Sequence, residues 1–263
     1  MTRKSLTPKK LHDLRIACRR AEAALRLCGE FSKSQSSSWL RNRLRDVRRV
    51  SNAVRDDDTL LKRLKRQPEE REITRELSRV IAGHRRDVVP RIVERVEAAA
   101  HGRRFERRTQ RVLRLLAEEE RSQTIPSAFG KRLFSDLERF VQAVPTQTRD
   151  AQSLHRLRIE SKRLRYSVEL ITEIWPDVDL TELRELLTTL QERLGQLHDE
   201  FVQEQRRAEL LTQLPRRLRR SPPIESERRR NQRERAVWKW WQKRPLERIL
   251  ADATAEIVTL IRK

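Results

Sequence analysis

Apolar residues return every three or four positions along most of the chain. Leu11, Leu14, Cys18, Ala21 and Leu25 make one such stripe, Leu40, Leu44, Val47, Ser51 and Val54 a second, and Leu154, Leu157 and Leu164 a third. Side chains spaced this way share one face of a helix with 3.6 residues per turn. The pattern predicts helices over roughly 8–31, 38–66, 69–100, 103–122, 127–144, 150–175, 179–213 and 226–262. Breaks are signalled by "SKSQSSS", "QPEE", "TIPSAFG", Pro145, "WPDVD" and "RRSPPIES". Pro90 lies inside the third candidate and is expected to kink or divide it. Alternating Val, Ile or aromatic runs are nearly absent, so the expected fold is all-α.

Compared with itself, the chain repeats at an offset of 143 residues over about the first fifty positions. Leu11 and His12 match Leu154 and His155, while Leu14, Arg15, Ile16, Arg19 and Arg20 match Leu157, Arg158, Ile159, Lys162 and Arg163. Further on, Leu40, Leu44, Val47 and Val54 match Leu183, Leu187, Leu190 and Leu197, and Arg55–Asp56 matches His198–Asp199. The expectation is one domain over 1–263 built of two pseudo-symmetric helical bundles, 1–145 and 146–263, with a basic loop at 215–235.

Charge changes this picture. The net charge is +22, and 50 of the 61 basic residues are arginine. Guanidinium forks pair with phosphate oxygens, so an anionic partner is indicated; the alternative is that Arg-rich codon usage decorates ordinary solvated faces. Position carries more information than number. On a helical wheel His12, Arg15 and Arg19 span about 60° beside the apolar arc, and His155, Arg158 and Lys162 repeat the arrangement. Arg163, Arg165 and Tyr166 add donors at its margin. The second helix continues the stripe with Arg41, Arg45, Arg48, Asn52 and Arg55, and its counterpart offers Arg184, Thr188, Gln191, Gly195 and His198. A solvated face would mix signs so that acids pair with bases, and here acids are sparse. Four basic stripes are expected to converge on a groove or pore suited to an extended anion, with Asp56 and Asp199 orienting neighbouring cations.

Other chemistry is poorly supported. The five histidines show no paired ligand spacing, with only Asp13, Asp199 and Glu200 beside them, and neither a metal nor a cofactor is expected. No glycine-rich phosphate loop or Ser-His-Asp grouping occurs. Cys18 and Cys28 lie about 15 Å apart along one predicted helix, too far for a disulfide, and read as core-facing thiols. Trp238 and Trp241 fall on an apolar helical period and are expected to pack against the bundle, while Ser221 to Pro223 is expected to be mobile. Without a continuous apolar segment, the chain is expected to be cytoplasmic, with no membrane span.

The blocks "LHDLRIACRRAEAALRLCGEF" with "LRDVRRVSNAVRDDDTLL", and "LHRLRIESKRLRYSVELI" with "LQERLGQLHDEF", resemble the CHAD domain family, the conserved histidine α-helical domains. The resemblance covers most of the chain. It implies two pseudo-symmetric helical bundles around a basic pore that binds inorganic polyphosphate, often on polyphosphate granules, and a binder instead of an enzyme. The family's basic positions fall on His12, Arg15, Arg19 and Arg20 and on His155, Arg158, Lys162 and Arg163. Two positions depart from the pattern: Asn52 stands where a glycine like Gly195 is expected, and His198 where the family more often has Asn. Some relatives are fused to triphosphate tunnel enzymes, whose alternating strand glutamates have no equivalent in Glu225 and Glu227 beside Pro222 and Pro223. Competing expectations are a nucleic-acid-binding basic helical protein and a scaffold that binds acidic proteins or a membrane surface through "RRLRRSPPIESERRR". Scarce aromatics weaken the first of these. Oligomeric state is left open.

Overall fold

The computed structural model describes residues 6–28, 35–66, 71–100, 102–121, 125–145, 151–219 and 227–262. Within them the chain forms ten α-helices and no strand: α1 (Pro8–Leu27), α2 (Gln35–Val50), α3 (Asn52–Leu64), α4 (Arg71–Ala100), α5 (Arg103–Arg121), α6 (Ile125–Ala143), α7 (Ala151–Ile174), α8 (Thr181–Leu211), α9 (Glu227–Gln242) and α10 (Leu246–Arg262), with a 3₁₀ turn at Arg216–Leu218. Local chemistry sets several of these limits. The Thr7 hydroxyl accepts from the Lys10 amide at 3.3 Å and Pro8 opens α1, where a missing N–H costs nothing.

Two helices predicted as continuous are divided. The helix expected over 38–66 breaks at Ser51, whose hydroxyl donates to the Arg48 carbonyl at 2.9 Å and draws that carbonyl off the helical ladder. The last helix breaks before Leu246, because Pro245 has no N–H to continue the ladder. Pro90, by contrast, lies within an undivided α4. Residues 220–226, including Ser221 to Pro223 and Glu225, lie outside the described residues.

Packing crosses the boundary drawn from the repeat. The largest core joins Phe129, Leu133 and Phe140 of α6 with Leu157 and Leu164 of α7, Leu187 of α8 and Ile257 of α10. Thus α6, expected in the first half, packs on α7 and α10. Gly130 permits that approach, since a Cβ there would sit 2.6 Å from Ile261 Cγ1. Trp238 and Trp241 are buried in the same core, the latter edge-on to Phe140 at 6.2 Å. A second core joins Leu60 and Leu64 of α3, Leu77 and Ile81 of α4, and Leu210 and Leu211 at the far end of α8. Each fully buried leucine contributes about 1.5–3 kcal/mol. Near the N-terminus Leu11, Val54 and Ile92 join α1, α3 and α4, and Cys18 packs on Val47.

α7 starts 143 residues after α1, and α1 packs on α2 and α3 as α7 packs on α8. α1 also meets α7, and α3 meets α8. These four helices frame the basic stripes.

Candidate functional site

Most of each apolar stripe is used in the cores, although in α1 Ala23 and Leu27 are buried where the pattern put Ala21 and Leu25, and the basic margin turns inward. α1, α3, α7 and α8, with the end of α2, enclose a cavity of about 590 Å³. Into it α1 brings His12, Arg15, Arg19, Glu22 and Arg26; α2 and α3 bring Arg48, Asn52, Arg55 and Asp56; α7 brings Arg158, Lys162, Arg163 and Tyr166; and α8 brings His198 and Asp199. Eight Arg and Lys residues thus face three carboxylates.

Some of these cations are already engaged. Arg15 donates to the Arg48 carbonyl at 2.9 Å and to Ser51 Oγ and Asn52 Oδ1 at 2.8 Å each, tying α1 to the joint between α2 and α3. Burial, with Arg19 beside it, brings its pKa down to about 10. Arg48 pairs with Glu22 at 3.1 Å. Arg26 and Arg163 converge on Asp136, which is fully buried and also accepts from Ser167 at 2.7 Å, so α1, α6 and α7 meet at one carboxylate. Arg158 stays 3.9 Å from Asp199, and burial lowers its pKa.

Other cations have no such partner. Among the described residues the side chains of Arg19, Arg55 and Lys162 form no ion pair or hydrogen bond. Burial, then the charges of Arg19, Arg158 and Arg165, bring Lys162 down to about 7. His198 is pushed below the usual histidine range by burial and by Arg158, and its ring lies 5.6 Å from that of His155. Asp56 is held above the usual carboxylate range by burial, although Arg15 opposes the shift. A cavity of this kind stabilises anions, because each oxygen introduced relieves repulsion between partly desolvated cations. Among the described residues no group of three or more His, Cys, Asp or Glu side chains could hold a metal ion, and no helix is long and apolar enough to cross a membrane.

Six residues of the predicted set do not line the cavity. Arg20 reaches across to Glu173 on α7, at 2.6 Å. Arg41 lies near Ser38, and Arg45 and Arg184 are on exposed faces. Arg165 turns to α8, where it meets Gln191 at 2.9 Å, and to Glu169 at 2.7 Å. His155 does not line the cavity but its ring lies against that of His198, which does. Two charged lining residues escaped sequence reading, Glu22 and Arg26, because their positions 143 residues on hold Arg165 and Glu169, of opposite charge. The Glu22–Arg48 pair between α1 and α2 has its counterpart in Arg165–Gln191 between α7 and α8, with donor and acceptor exchanged. Asn52 serves as an acceptor for Arg15, whereas a Cβ at Gly195 would meet nothing within 4 Å. Cys18 and Cys28 are free and buried, and burial raises both thiols, Cys28 to about 11.

Residues 1–208 match the family described as CHAD domain. Among solved structures, the CHAD domain from the plant Ricinus communis superposes with a TM-score of 0.57 at 21% identity, covering 97% of this chain and 83% of that one. No curated protein matches the chain.

Proposed function

The chain belongs to the CHAD domain family, and from that premise we propose that it binds inorganic polyphosphate, without hydrolysing it, in the cavity between α1, α3, α7 and α8. The observation that carries the reading is the group Arg19, Arg55 and Lys162, which faces a 590 Å³ space without an acidic partner among the described residues. Guanidinium and ammonium groups suit the closely repeated oxygens of a phosphate chain, and their charge-assisted hydrogen bonds contribute about 1.5–3 kcal/mol each. Arg158 and His198 supply further donors, with Asp199 orienting the first and Asp56 balancing Arg15. In this reading the two halves of the repeat form a pseudo-symmetric frame around the chain, and binding holds the protein on polyphosphate granules in the cytoplasm. Nucleic acid fits less well: among the described residues Tyr166 is the one Phe, Tyr or Trp side chain lining the cavity, and it is itself only 9% exposed, a poor platform for stacked bases.

The test is competition. Labelled long-chain polyphosphate bound to the purified protein is challenged with unlabelled polyphosphate, duplex DNA or single-stranded RNA at matched phosphate concentration, and chain length is followed in the presence of divalent metal. We expect polyphosphate to displace at concentrations at least tenfold below either nucleic acid, with unchanged chain length. Equal displacement by RNA, or shortening of the chain, would contradict the proposal.

A further inference from the structure

At the far end of α2 from the cavity, α2 and α5 border a second basic hollow of about 590 Å³, lined by Gln35, Ser36, Arg104, Arg107, Arg108 and Arg111. The four arginines recur at i, i+3, i+4 and i+7 and so share one face of α5. Like charges this close repel, and among the described residues none of the four forms an ion pair. What holds two of them in place is Trp39. The guanidinium carbons of Arg104 and Arg108 lie 5.3 and 5.2 Å from its ring, joined by Arg43 of α2 at 5.2 Å. Held over the ring, a guanidinium gains cation–π attraction, and that contact uses none of its N–H donors as a hydrogen bond to an acceptor. Ser36 is only 5% exposed and lines the hollow, yet its hydroxyl meets no described partner. Open to the hollow, that hydroxyl is free to donate to an oxygen of a ligand there. It lies in the first turn of α2, whose opening N–H groups have no acceptor within the helix.

We propose that this hollow is a second phosphate site, and that a long polyphosphate chain occupies it together with the central cavity. The bridging part rests on the polyphosphate reading above; the hollow itself does not. Phosphate is favoured over a nucleic-acid base because three guanidiniums already surround Trp39, so the ring is not free to stack. From Gln35 in the hollow to Arg48 in the cavity, α2 spans about 20 Å. Only a ligand long enough to cover that span gains from both sites, since the second contact then forms at high effective concentration.

The experiment compares tripolyphosphate with long-chain polyphosphate on the full chain. One variant carries Arg104→Ala, Arg107→Ala and Arg111→Ala; a control with the same loss of charge carries Arg91→Ala, Arg95→Ala and Arg216→Ala, all exposed. The α5 variant is expected to lose at least about tenfold in affinity for the long chain and less than about twofold for tripolyphosphate, with the control within about threefold of wild type for both. A second readout isolates the hollow: pyrophosphate should change the emission of the wild-type protein by an amount that Trp39→Phe abolishes. If the α5 variant matches the control and Trp39 contributes no change, the second site is overturned while central binding stands. If long-chain polyphosphate fails to bind the wild type, the central reading falls and with it the bridge, and the Trp39 signal alone then decides the hollow. A Trp39-dependent change produced by RNA but not by pyrophosphate overturns the phosphate assignment.

Discussion

Lys162 makes the cavity's electrostatics measurable, because its ammonium titrates near neutrality instead of near 10.5. In the free protein it is charged below about pH 7 and largely neutral above it. A bound polyanion favours the charged form, so binding above that pH requires proton uptake and affinity falls as pH rises. We expect polyphosphate affinity to drop roughly tenfold between about pH 6 and pH 8.5 at constant ionic strength, and Lys162→Arg, which stays charged throughout, to flatten the profile. An unchanged slope in Lys162→Arg would assign the titration to other groups. His198, also shifted down, adds its own charge only at lower pH. The basic positions Arg19 and Lys162 were legible from the stripe beside the apolar arc. Arg26 was not, since its role depends on Asp136 and Ser167, which lie 110 and 141 residues away.

At the scale of elements, the joint between α2 and α3 depends on Arg15. Its three hydrogen bonds satisfy the Arg48 carbonyl, Ser51 and Asn52 where the helical ladder is interrupted. Arg15→Ala is therefore expected to cost about 2 kcal/mol in denaturant unfolding, whereas Arg19→Ala, which relieves repulsion and loses no bond, should cost less than about 0.5 kcal/mol. Equal losses would show that Arg15 does not brace the joint. Periodicity could not reveal this break, because Ser51 occupies a position in the apolar stripe and neither glycine nor proline marks it. The break before Leu246 was readable in principle from Pro245, but the strong apolar period on both sides outweighed it. Helices α1, α6 and α7 followed their patterns to within a few residues, each burying apolar side chains along its length in the cores.

For the whole molecule, the all-α class was legible because it needs only periodicity and the lack of strand patterning. How helices are shared between cores was not. α6 joins α7 and α10, and the end of α8 returns to α3 and α4, through contacts between residues too distant in sequence for any local pattern to record. Net charge has the same ambiguity: +22 attracts any polyanion, so salt-sensitive binding alone cannot distinguish a built cavity from a basic surface. Removing two charges from each place does. The most direct measurement compares long-chain polyphosphate affinity in Arg19→Ala/Lys162→Ala with that in Arg91→Ala/Arg95→Ala, at one ionic strength, at about pH 6 where Lys162 carries its charge, and with helical content checked by circular dichroism. The cavity pair is expected to lose at least about a hundredfold and the exposed pair no more than about threefold, since partly desolvated donors contribute far more than screened surface charge. Equal losses in the two variants would contradict binding in the cavity and leave net charge as the sole basis of anion attraction.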